Sequence, residues 1–146
     1  MAGILVIGCG NPLRGDDALG PRIAAAIAER RLPGVRVLTP HQLAPELAAD
    51  LAQARRAIFV DASSRPGQDA VELRSIEPSN EPTAIGHLSR PGELLALAQA
   101  LYGRRPPAWL VTAPAQSFDI GAPLSAGAEK AMAAAIESVA SLCHMA

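Results

Sequence analysis

Residues 3–8 read Gly-Ile-Leu-Val-Ile-Gly, a continuous apolar run closed at both ends by glycine, and this run narrows the possible folds more than any other feature. Its length suits a strand. With no polar side chain to turn toward water, such a strand must be covered on both faces. Helices must therefore pack on either side of it, which points to an α/β protein within the first ten residues.

The rest of the chain continues the pattern. Leu19, Ile23, Ala26 and Ile27 recur at helical spacing across residues 18–31, Pro21 is tolerated in the first turn, and Asp16 or Asp17 is placed to cap the free N–H groups. After the Pro33-Gly34 break, residues 35–38 read as a second strand, 44–55 as a second helix, and 57–60 as a third strand ending on Asp61. Residues 69–76 alternate polar and apolar, as a strand exposed on one face at a sheet edge does. A proline-bearing stretch, 77–87, leads to a helix near 91–102, a strand near 108–112 and a last helix near 125–142 with Ser125 as its N-cap. The expectation is one domain spanning residues 1–146. It is a three-layer α/β/α sandwich around a five-stranded, mostly parallel sheet with one antiparallel edge strand.

Composition restricts function. With 49% apolar residues but only 3% aromatics, the core must be built from Ala, Leu, Ile and Val. A net charge of -1 and scattered arginines provide no basic stripe, so no nucleic-acid partner is expected. The opening apolar run is too short to span a membrane and no basic n-region precedes it, so no membrane association and a cytoplasmic location are expected. Cys9 and Cys143 lie far apart in sequence and form neither a disulfide framework nor a thiolate zinc site.

Sheets of this kind bind ligands outside the carboxyl ends of their strands, where the strand order reverses. The loop Gly8-Cys9-Gly10-Asn11-Pro12-Leu13 follows the first strand but is not a dinucleotide fingerprint, because Leu13 stands at the third glycine position. Asp16 and Asp17 would also repel an anion at the next helix N-terminus, so a cation or a basic substrate fits better. Asp16 reads as a helix cap, while for Asp17 cap and ligand remain open. Asp61 emerges where the third strand ends, either as a crevice carboxylate or as a turn residue held by Ser63 and Ser64. His87 lies in a loop after the edge strand, as a surface histidine or as a group leaning over the same crevice. Together Asp17, Asp61 and His87 offer two hard oxygen donors and one imidazole, a set suited to a divalent transition ion with open coordination positions. His41 is a reserve ligand, Cys9 reads as a small buried residue, and His144 lies in a tail expected to be disordered.

Residues 8–20, GCGNPLRGDDALG, resemble the G-x-G-N-x-L-x-x-D-[DE]-x-x-G opening of the hydrogenase maturation proteases. The likeness extends through IFVDASS, similar to a strand ending in a metal-binding aspartate, through HLSRPGELLALAQALYG, similar to a histidine-then-helix segment, and through FDIGAPLSAGAEKAM before the last helix. The resemblance implies that Asp17, Asp61 and His87 bind nickel supplied by the precursor of a nickel-iron hydrogenase large subunit, with cadmium or zinc able to substitute. It further implies a metal-dependent, aspartic-type endopeptidase that removes the precursor's C-terminal peptide, with the same three residues as its catalytic set. Two departures stand out. Ala18 replaces a frequent glycine, and residues 40–48, PHQLAPELA, replace a glycine-bearing loop, leaving Gln42 to point inward or not.

Three other readings compete with this one. Ser63, Ser64 and Ser117 lie in no G-x-S-x-G elbow, so a covalent serine hydrolase lacks support. A metal-binding chaperone that inspects an immature subunit without cutting it would use the same ligands. A nucleotide-binding domain is a further reading, weaker than the chaperone.

Overall fold

The computed structural model describes residues 3–79 and 90–145. Five strands form one sheet in the order β2-β1-β3-β5-β4. β1 (Ile4–Gly8) pairs in parallel with β2 (Val35–Leu38) and with β3 (Arg56–Ser63), β3 pairs in parallel with β5 (Ala108–Pro114), and β4 (Glu72–Ile76) runs antiparallel at the β5 edge. The expected mostly parallel sheet with one antiparallel edge strand is the one observed.

Alternation along the central strands explains the layering. Ile4 and Val6 of β1, Ile58 and Val60 of β3, and Val111 and Ala113 of β5 join one buried cluster with Leu19, Ile23 and Ile27 of α1 (Leu19–Glu29) and Ala135 and Val139 of α4 (Ala126–His144). Leu5, Ile7, Ala57 and Phe59 face the other way, against Leu51 of α2 (Leu47–Gln53) and Leu94, Leu95 and Ala98 of α3 (Pro91–Tyr102). Both faces of β1 are thus sealed, as its unbroken apolar sequence demands.

Glycines let α1 sit close on the first strand. A Cβ at Gly8 would lie 2.2 Å from the Gly20 carbonyl oxygen and 2.5 Å from the Ala24 Cβ, and one at Gly20 would lie 2.3 Å from the Cys9 carbonyl oxygen. No side chain fits between these backbones.

Several elements depart from expectation. β3 does not end at Asp61 but continues to Ser63, because Asp61, Ala62 and Ser63 stay in register with Thr112, Ala113 and Pro114 of β5. α2 starts only at Leu47, since residues 44–46 are taken up by a turn in which the Ala44 and Pro45 carbonyls accept from Leu47 and Ala48. The edge strand is shorter than the alternation suggested, beginning at Glu72 rather than at 69. α1 is preceded by a short 3-10 turn, Gly15–Ala18, and its N-cap Ala18 makes no side-chain cap, so neither aspartate caps that helix. His144 is the last residue of α4 rather than part of a loose tail. Ser125 caps α4 as expected, its Oγ accepting from the Ala128 N–H at 3.2 Å.

At the opposite end of α4, Arg56 is buried and donates to the carbonyls of Leu142 and Met145, each at 2.8 Å, with its guanidinium 5.7 Å from the centre of the Trp109 ring. It supplies donors to carbonyls that a helix end leaves free. Among the described residues, no helix is long and apolar enough to cross a membrane.

Candidate metal centre

The strand order reverses beside β1, because the chain passes from β1 out to β2 and then returns across β1 to β3. The loops after β1 and β3 therefore flank a crevice at the carboxyl edge. The Cys9 N–H donates to the Val60 carbonyl at 3.1 Å, tying the first loop to the end of β3 just before Asp61.

Asp17 is half-buried on the short turn before α1. One of its carboxylate oxygens accepts from the Asn11 N–H at 2.8 Å, and Gly10 is pressed against it so closely that a Cβ there would meet the Asp17 carbonyl oxygen at 2.1 Å. Gly10 has φ +150, at the margin of what a side chain allows, and the contact alone rules one out. Asn11 also folds its own loop, its Oδ1 accepting from the Leu13 N–H at 2.9 Å, an Asx turn.

Asp61 stands across the crevice, with solvent access on its open side. Its pKa is pushed up to about 6, chiefly because surrounding protein strips water from the carboxylate; the charge of Asp17 adds to the rise, and the Ala62 N–H at 2.8 Å opposes it. Water at the open side moderates the shift. Asp61 accepts from the Ala62 N–H and not from Ser63, whose Oγ accepts from the Arg65 N–H at 3.2 Å. Asp17 and Asp61 are thus within electrostatic reach of each other, and no cationic side chain is among the influences on Asp61.

Cys9 feels both carboxylates. Its thiol is pushed up to about 11 by burial first, then by Asp61 and Asp17, against a backbone contact from Leu43. Rather than being fully buried, it is half-exposed, and its Sγ lies 3.7 Å from the His41 carbonyl oxygen. In the ion-free protein burial and the two carboxylates thus favour the protonated thiol. The His41 and Gln42 residues are exposed on the loop that packs there, where Gly10 N–H reaches the Pro40 carbonyl at 3.4 Å.

His87 lies outside the described residues. Among the described residues, no three His, Cys, Asp or Glu side chains are placed to hold an ion, so Cys9 does not complete a trio with the two aspartates.

Asp16 has a different part from the one its neighbour suggests. It is fully buried, and its carboxylate accepts from the Gln116 N–H at 2.7 Å, the Ser117 N–H at 3.2 Å, the Ser125 N–H at 2.7 Å and the Ser125 Oγ at 2.6 Å. Burial works against its charge, but the bonds from Ser125, Gln116 and Ser117 outweigh that and hold its pKa below the usual carboxylate value. Asp16 therefore fastens the crevice loop to the segment before α4. Sequence reasoning missed this, although a doubled acid where one helix needs at most one cap was a signal.

Two surface grooves lie elsewhere. One of about 620 Å³ is at the amino end of the strands, lined by residues including Gly3, Gly34 and Arg36, and its Arg36 is already paired with Asp50 at 2.7 Å. The other, about 380 Å³, lies between residues 68–71 and α4. Neither is lined by Asp17 or Asp61.

No protein-family model matches the sequence. No curated protein matches it either. Solved structures do match over nearly the whole chain. The hydrogenase maturating endopeptidase HybD from E. coli is 24% identical, with 96% of this chain and 91% of that one covered and a TM-score of 0.74. The [NiFe] hydrogenase maturation protease HycI from Thermococcus kodakarensis is 20% identical, with 99% and 94% covered and a TM-score of 0.75. A hydrogenase 2 maturation peptidase from a Thaumarchaeota archaeon is 23% identical, with 99% of each chain covered and a TM-score of 0.71. From the first strand to the last helix, this chain has the fold of the hydrogenase maturation endopeptidases.

Proposed function

We propose that this chain is a hydrogenase maturation endopeptidase, which engages nickel held by the precursor of a nickel-iron hydrogenase large subunit and removes the precursor's C-terminal peptide. The observation that supports the reading is the electrostatic coupling of Asp17 to Asp61 beside the point where the strand order reverses. They form a like-charge pair, and no cationic side chain is among the influences on Asp61. Two such carboxylates repel each other, and an ion held by the client would relieve that repulsion and offset the cost of keeping Asp61 charged away from water. The opening motif and the shared fold support the same reading.

Asp17 and Asp61 supply hard oxygen donors, and His87 is assigned as the third ligand on the likeness of its segment to the histidine-then-helix motif. Cadmium or zinc would occupy the same donors, which suit several divalent ions. Such an ion, held by these residues, would supply Lewis-acid chemistry to the scissile carbonyl or to a water. The chain's own contribution is to fix Asp17 through Asn11 and Gly10, and to hold Asp61 on a strand paired on both sides up to Val60. The cytoplasm is the proposed location.

The test is to mix the purified protein with nickel-loaded precursor and weigh the products. Shortening of the precursor is expected. Asp17→Ala and His87→Ala are expected to abolish cleavage while leaving the fold intact, as read by circular dichroism. Cleavage undiminished in both variants defeats the site assignment, and binding without cleavage by the unaltered protein means a chaperone rather than a protease.

A further inference from the structure

Ala57 pairs with Ala108 and Phe59 with Leu110, and all four side chains pack on the α2 and α3 face of the sheet. Side chains two apart on a strand share a face, so the next pair in register, Asp61 and Thr112, carries that face out to the carboxyl edge. Adjacent strands lie about 4.8 Å apart, which sets the half-buried Thr112 one strand away from Asp61. On its other side Thr112 is in register with Glu72 of β4.

The Thr112 hydroxyl is held on one side by an amide. Gln68 Nε2 lies 3.1 Å from Thr112 Oγ1, 3.3 Å from the Thr112 carbonyl oxygen and 3.1 Å from the Ala70 carbonyl oxygen. Two carbonyl acceptors identify that end of the Gln68 side chain as its NH2 group, which donates and cannot accept. Thr112 Oγ1 is therefore the acceptor, and its own proton needs a different oxygen. Among the described residues none takes it. Asp61 accepts from the Ala62 N–H, and Glu72 is paired with Arg65. An oriented hydroxyl beside Asp61 thus keeps its proton for what enters the crevice.

We propose that Thr112 is a substrate-binding residue, whose hydroxyl donates a hydrogen bond to a main-chain carbonyl of the client peptide where that peptide passes Asp61. The inference rests on the reading of Asp17 and Asp61 as the metal-engaging pair of an endopeptidase. The neighbours of Thr112 select the acceptor. Asp61, in register on the next strand, would repel a carboxylate or a phosphate placed there, and Arg65 is already engaged by Glu72. A neutral oxygen meets no such repulsion, and a peptide presents one at every residue. Because Gln68 sets the hydroxyl in place before the peptide arrives, little ordering cost is left for binding.

The experiment compares the unaltered protein with Thr112→Val, which keeps the shape and removes the hydroxyl, and with Thr112→Ser, which retains it, on purified nickel-loaded large-subunit precursor. Thr112→Val is expected to raise KM roughly three- to tenfold with kcat within about twofold, as loss of one binding hydrogen bond implies. Thr112→Ser is expected to keep the KM of the unaltered protein. Cadmium affinity, read by calorimetry without precursor, should be equal in all of them, because Asp17 and Asp61 are untouched. Tm should hold, since Gln68 keeps the Ala70 and Thr112 carbonyls as acceptors and valine suits a strand. An unchanged KM in Thr112→Val overturns the role of the hydroxyl and leaves the protease reading intact. A KM raised equally by both variants, or a cadmium affinity lowered by Thr112→Val, also overturns it, because packing or the acids would then carry the effect. Should the unaltered protein bind the precursor without cutting it, affinity takes the place of KM. Weaker binding by Thr112→Val alone then supports the hydrogen bond and removes the protease reading, while equal binding by every variant overturns both. Absence of binding by the unaltered protein overturns both as well.

Discussion

Asp16 and Ser125, 109 positions apart, are joined twice: the carboxylate accepts both the Ser125 N–H at 2.7 Å and its hydroxyl at 2.6 Å. The same hydroxyl accepts from Ala128 in the first turn of α4. One buried acid thus sets the start of the last helix and the back of the crevice loop together.

Replacing Asp16 should therefore be among the costliest single changes in the molecule. Asp16→Ala leaves three N–H groups and one hydroxyl without their acceptor, and a loss of about 3–5 kcal/mol is expected in denaturant melts. Because the folded carboxylate titrates below the unfolded one, its stabilisation is fully present above the unfolded value of about 4 and is lost as pH falls through the lower folded value. The gap between the unaltered protein and Asp16→Asn should accordingly narrow in melts at pH 3 compared with pH 7. A gap that widens on acidification would contradict this.

Asp61 carries the opposite sign. Its folded pKa of about 6 lies above the unfolded value, so its contribution favours folding below about pH 4 and is lost as pH rises through 6. In ion-free protein, Asp61→Asn should flatten the stability profile between pH 4 and 6 and melt higher than the unaltered protein at pH 7. A carboxyl resonance titrating near 4 in NMR would refute the desolvation described for this crevice.

Gly8→Ala tests the closeness of α1 to β1. The added methyl meets the Gly20 carbonyl and the Ala24 methyl, and overpacking of this kind costs on the order of 1–3 kcal/mol. Adding Ala24→Gly removes one clash but leaves the carbonyl at 2.2 Å, so thermal melts should show at most partial rescue.

Arg56→Met removes the donors to Leu142 and Met145 and the cation over Trp109. A destabilisation of about 2–4 kcal/mol is expected, with the earliest loss of hydrogen-exchange protection in the last turn of α4. Protection lost first in α1 would place the arginine's effect elsewhere.

The layered fold was readable wherever local punctuation marked it. Glycines bracket β1, Pro33-Gly34 precedes β2, and Pro91 and Gly103 delimit α3, where Gly103 takes the left-handed conformation at φ 73. β3 outran its apolar sequence because its last residues are held by β5, a partner about fifty positions away. The two carboxylates that flank the crevice were legible for the same reason. Asp61 follows directly on the apolar run of β3, and Asp17 stands in a loop motif. The buried duty of Asp16 depends on Gln116, Ser117 and Ser125, which no local pattern connects to it.

The fastening of the crevice loop from its inner side frees its outer surface from any part in holding the fold. Asp16 and Asn11 immobilise the stretch without help from the exposed side chains of Leu13 and Ile120. Exchanging those two residues for polar ones should therefore leave the melting temperature and the setting of the acids behind them unchanged.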